Sequence, residues 1–81
     1  MKLNYTTESA RKAERLAWSI LQELEKKPDY RTLNNQYYTA LHVWSELSSM
    51  AETPGWFEEF GYLNSRTTNR QIARLLQKAN K

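Results

Sequence analysis

The chain has 81 residues, a formal net charge of +3 and no cysteine, with 40% hydrophobic and 26% charged residues. Without thiols there is no disulfide scaffold, no cysteine nucleophile and no Cys-ligated zinc or iron–sulfur site. The size fits one small domain over residues 1–81, and three Trp, five Tyr and two Phe supply enough apolar area to argue against wholesale disorder.

Met1-Lys2-Leu3-Asn4-Tyr5 turns polar sooner than a signal peptide does. Residues 1–5 therefore read as a flexible or extended arm. No apolar run approaches the length of a bilayer span. A cytoplasmic protein without membrane contact is expected.

The first helix is predicted at about 7–27. Thr6 or Thr7 can accept from the free amides of the first turn, and Glu8 suits the positive end of the helix dipole. Ala10, Ala13, Ala17, Ile20, Leu21 and Leu24 share one face, and Glu8–Lys12 and Glu23–Lys27 pair at i,i+4. Pro28 disfavours helix in the residue before it.

Asp29 or Thr32 can cap a second helix at about 31–51, with Leu33, Tyr37, Ala40, Trp44, Leu47 and Ala51 at spacings of three and four. Two long amphipathic helices joined by a short loop form an antiparallel hairpin. Thr53-Pro54 reads as a cap followed by a first-turn proline, and Gly61 as a stop. A short aromatic helix or turn at about 54–60, carrying Trp56, Phe57 and Phe60, then closes one end of the hairpin.

The last helix, about 68–79, begins at a predicted capping box of Thr68 and Gln71. Ile72, Leu75, Leu76 and Ala79 form its apolar stripe. The fold class is thus all-α: a compact bundle of three main helices and one short one.

The charge is segregated. No acidic residue follows Glu59, whereas Arg66, Arg70, Arg74, Lys78 and Lys81 do. At about 100° per residue, Arg70, Arg74, Lys78 and Lys81 lie within roughly 80° of one another, opposite Ile72, with Arg66 just before the helix. Such a row neutralises phosphates or meets an acidic protein surface; it also fits an ordinary solvated helix face. Thr67 to Leu76 resembles the first helix of a helix-turn-helix motif, with its Ile-Ala-x-x-Leu pattern. The likeness stops before a groove-reading helix, and no family assignment rests on it.

Trp18 sits about 120° from the apolar face of its helix and Tyr38 about 140° from that of the second. Each is either an interface anchor or a base-stacking ring, or else packs beneath another element. His42 is the only histidine and has no orienting carboxylate, and Glu58–Glu59 and Glu23–Glu25 diverge rather than face one another. Two glycines make no phosphate-cradling loop. The expectation is a non-enzymatic interaction or regulatory protein, without metal or cofactor. It binds an acidic protein surface or nucleic-acid phosphate through Arg66, Arg70, Arg74 and Lys78, joined by Trp18 and Tyr38. The alternative is a structural subunit that self-associates as a homodimer and binds no nucleic acid.

Overall fold

Helix α1 spans Thr7–Glu25 and opens on a reciprocal cap. The Thr6 hydroxyl accepts from the Ser9 amide at 3.0 Å, and the Ser9 hydroxyl accepts from the Thr6 amide at 2.9 Å. The computed structural model describes residues 3–27, 29 and 34–80. Within them the helices are α1, α2 (Asn34–Glu52), α3 (Trp56–Phe60) and α4 (Arg66–Ala79), with a 3₁₀ turn at Gly61–Leu63 and no strand. The all-α class expected from the periodicity is the fold observed. A Cα radius of gyration of 12.4 Å is close to the roughly 11.7 Å of a compact chain of this length.

α1 ends two residues earlier than the pattern predicts. The Lys27 amide bonds the Leu24 carbonyl at 3.2 Å, so the last turn tightens and Lys26 and Lys27 fall outside the helix. Glu23 accordingly pairs with Lys26 at 3.1 Å, not with Lys27. The expected start of α2 at 31, with Thr32 and Leu33, lies outside the described residues.

The core forms where α1, α2 and α4 meet. Ala10, Ala13 and Ala17 give α1 a face without bulk, which lets both neighbouring helices approach its backbone. The volume comes from Val43, Leu47 and Met50 of α2, Phe57 of α3, and Ile72, Leu75 and Leu76 of α4. Burial of side chains this size contributes roughly 1.5–3 kcal/mol each.

Two expectations about the core are corrected. Ile20 is 44% exposed, because it stands at the α1–α4 seam beside Arg74 and Lys78 instead of inside it. On α2, Val43 and Met50 are buried, while Tyr37, Trp44 and Ala51 are only partly so. α4 packs against α2 as well as α1, which draws the buried stripe toward Val43, while Trp44 stands at the α1 seam beside Glu14 and Trp18.

Thr53-Pro54 is not a helix start. The Trp56 amide bonds the Thr53 carbonyl at 3.1 Å, and Gly55 has φ 83 and ψ 1. Pro54 and Gly55 thus occupy the central positions of a type II turn, and α3 begins only at Trp56. Leu3 and Tyr5 of the arm pack against the core, and the Trp56 indole donates to Glu46 at 3.0 Å.

Candidate functional site

α4 starts earlier than its sequence suggests. Ser65, not Thr68, is the cap: its hydroxyl accepts from the Thr68 amide at 3.1 Å and donates to the Thr68 hydroxyl at 3.0 Å. Thr68 is 3% exposed and belongs to the packed face with Ile72, Leu75 and Leu76. Capping two residues before Thr67 brings Arg66 into the helix as its first residue.

The consequence is geometric. Arg66, Arg70, Arg74 and Lys78 form one row at i,i+4 intervals, covering about 18 Å along the axis and lying within roughly 120° around it. All four are exposed, and none forms an ion pair among the described residues. Lys81 lies outside those residues. Between and beside the cations stand neutral side chains: exposed Thr67 and Gln77, part-buried Asn69, Gln71 and Ala73.

Several cations elsewhere are paired, although Arg15 and Lys27 form no ion pair among the described residues. Arg11 meets Glu14 at 2.7 Å and Glu52 at 3.6 Å, and Lys12 meets Glu8 at 3.9 Å. The hydrogen bond to Glu14 raises the Arg11 guanidinium further above its ordinary range. What sets Arg11 and Lys12 apart from the α4 row is the local supply of acids, since α4 contains none.

The N-terminal part of the row opposes the electrostatics of its own helix, whereas Lys78 in the last turn complements the dipole. Arg66 occupies the positive end of the macrodipole, where a cation is disfavoured by roughly 0.3–1 kcal/mol. Three successive like-charge steps at i,i+4 add about 0.2–0.5 kcal/mol each. An anion laid along the row would remove both penalties.

Trp18 and Tyr38 do not join this face. Trp18 is 47% exposed and its ring rests on Trp44, with centroids 5.3 Å apart. The Trp44 indole donates to Glu14 at 3.0 Å. With Glu14, Arg15 and Ser19 these rings line an open recess of about 430 Å³ that no α4 residue enters. Around α1, Trp18 and Ile20 are about 160° apart, and Ile20 is the residue that meets Arg74 and Lys78. Trp18 is therefore on the flank of α1 away from α4. Tyr38 is 58% exposed, edge-on to Tyr37 at 5.7 Å. Both rings stay about half exposed, and Trp18 packs on Trp44 of α2 instead of beneath α4. His42 is exposed, and among the described residues no group of three His, Asp or Glu is placed to hold a metal ion.

The 3₁₀ turn contributes residues that periodicity did not single out. Tyr62 is 79% and Leu63 69% exposed. The available signal was that both follow Gly61 and belong to no helical stripe. No helix among the described residues is long and apolar enough to cross a membrane. In comparison with known proteins, the chain matches no protein-family model, no curated protein and no solved structure.

Proposed function

We infer that this is a non-enzymatic binding protein whose α4 row, Arg66, Arg70, Arg74 and Lys78, contacts nucleic-acid phosphates. The supporting observation is that four exposed cations stand in one row along α4 without an ion-pair partner among the described residues. The side chains around them favour nucleic acid over an acidic protein surface. A protein interface centres on apolar and aromatic groups depleted of charge. The outer face of α4 is instead Arg and Lys interspersed with Thr, Asn and Gln, the residue types that bind phosphate and sugar.

Affinity is then a function of salt. Four phosphates neutralised give a slope of about −3 in log affinity against log salt on a single strand. Affinity falls about fiftyfold between roughly 50 and 200 mM salt. The double variant Arg70→Glu, Arg74→Glu abolishes binding without unfolding the domain, since both side chains are exposed, and its melting temperature is no lower than that of the wild type because two of the three like-charge steps become attractive. Absence of binding to any oligonucleotide at low salt overturns the reading. Recovery of an acidic protein by the wild type but not by the double variant, after nuclease treatment, replaces it.

Self-association is favoured by one separate observation, the half-exposed Trp18 on Trp44. A dimer in light scattering that Trp18→Ala dissolves supports that second reading; a monomer at high concentration removes it.

A further inference from the structure

Among the described residues the two most exposed large apolar side chains are neighbours, Tyr62 at 79% and Leu63 at 69%. They stand on a three-residue turn immediately before the basic row. Exposure of this kind on a loose loop would mean little, but this turn is held at both ends. Gly61 is buried against the Phe57 ring. Asn69 of α4 donates its side-chain amide to the Gly61 carbonyl at 3.1 Å and accepts from the Asn64 side chain at 3.1 Å. The Asn64 amide closes the turn onto the Gly61 carbonyl at 3.1 Å.

Asn69 is the link to the cations. It lines one surface recess with Arg66, Arg70 and Ala73. The residue that fixes the turn therefore stands between the first two cations of the row. A ring carried on a backbone held in place costs less ordering when something packs on it than one on a loose loop. The turn that carries it is tied through Asn69 to the part of α4 that bears Arg66 and Arg70, charges suited to phosphate. That combination of stacking ring and cationic track marks proteins that bind single strands, whose bases are free to offer a face. Paired bases in a duplex are already stacked on one another and offer none except at the ends.

Resting on the phosphate-binding reading of α4, we propose that Tyr62 and the first two turns of α4 form a site for single-stranded nucleic acid. Tyr62 stacks on a base while Arg66 and Arg70 hold the adjoining phosphates, and Leu63 widens the apolar platform. Recognition is tolerant of sequence, because every base has a face to stack and the cations meet only the backbone.

The test is fluorescence anisotropy at low salt with a labelled oligothymidine and a labelled duplex of equal length. The wild type binds the single strand more tightly. Tyr62→Ala weakens single-strand binding between about fivefold and a hundredfold, leaves duplex binding and the salt slope unchanged, and melts like the wild type. Tyr62→Trp restores the affinity. If Tyr62→Ala binds the single strand as the wild type does while Arg70→Glu, Arg74→Glu does not, stacking is overturned and the phosphate row stands. Preference for the duplex, or an equal loss on both probes with a lowered melting temperature, also overturns it. If the wild type binds neither probe, both this site and the α4 reading fall.

Discussion

The Tyr5 hydroxyl accepts a hydrogen bond from the Phe57 backbone amide at 3.3 Å across 52 residues of chain. The same hydroxyl donates to the Glu58 carboxylate at 3.1 Å. One phenol thus ties the N-terminal arm to α3, over the ring of buried Phe57. Partial burial raises the phenol's pKa above its ordinary 10.0; the Glu58 carboxylate adds to the rise, and the Phe57 amide works against it.

This linkage has a definite sign. Above pH 10.0 the unfolded phenol has lost its proton while the folded one still holds it. The unfolded state then binds fewer protons, so this contribution is complete below that pH and is lost as pH rises through the folded pKa. Tyr5→Phe costs about 1 kcal/mol at neutral pH, in line with a lost hydrogen bond. Urea midpoints of wild type and variant should converge as pH passes 10.0. A constant gap across that range would show that another group carries the alkaline loss.

The two glycines separate two kinds of constraint. Gly55 has φ 83 and open space where a Cβ would stand, so Gly55→Ala costs only the left-handed backbone penalty, roughly 1–2 kcal/mol. Gly61 has an ordinary right-handed φ of −61, but a Cβ there would stand 2.8 Å from the Phe57 ring. Gly61→Ala therefore overpacks, by about 1–3 kcal/mol. Asn should be milder than Ala at 55, where it tolerates positive φ, and worse than Ala at 61, where it is larger. In a double-mutant cycle read by urea unfolding, Phe57→Leu should couple to Gly61→Ala and not to Gly55→Ala. Equal coupling at both positions would refute the distinction.

Arg66 should show a conflict between stability and binding. Replacing it by Glu puts an acid at the positive end of α4 and converts repulsion from Arg70 into attraction. The expected gain is about 0.5–1.5 kcal/mol, seen as a melting temperature several degrees higher at low salt. The gain should shrink as salt screens both terms. Affinity for nucleic acid should fall in the same variant. A melting temperature unchanged at low salt would mean that Arg66 opposes nothing in the fold.

The helical character of each segment was legible in the residues. So was the two-faced pattern of α4, with Ile72, Leu75 and Leu76 inward and Arg70, Arg74 and Lys78 outward. Amphipathic period and charge placement depend on neighbours within about a turn, and no other part of the chain need be known. The cap of α4 was misplaced for a related reason. Thr68 and Ser65 are both competent caps, and local chemistry does not rank them. Thr68 is needed in the core, which leaves Ser65 to close the helix and carries Arg66 into the row.

Other features were settled by packing alone. Val43 and Met50 turn inward because a third helix lies against α2. Ile20 stays half exposed because it lies at the rim of the α1–α4 seam, beside the exposed Arg74 and Lys78. The Tyr62–Leu63 turn stands where it does because Gly61 leaves room for the Phe57 ring and Asn69 reaches back from α4. Local chemistry could specify which residues are apolar, charged or turn-forming. Which of them are covered depends on surfaces brought together from distant parts of the chain, and those exist only once the helices have docked.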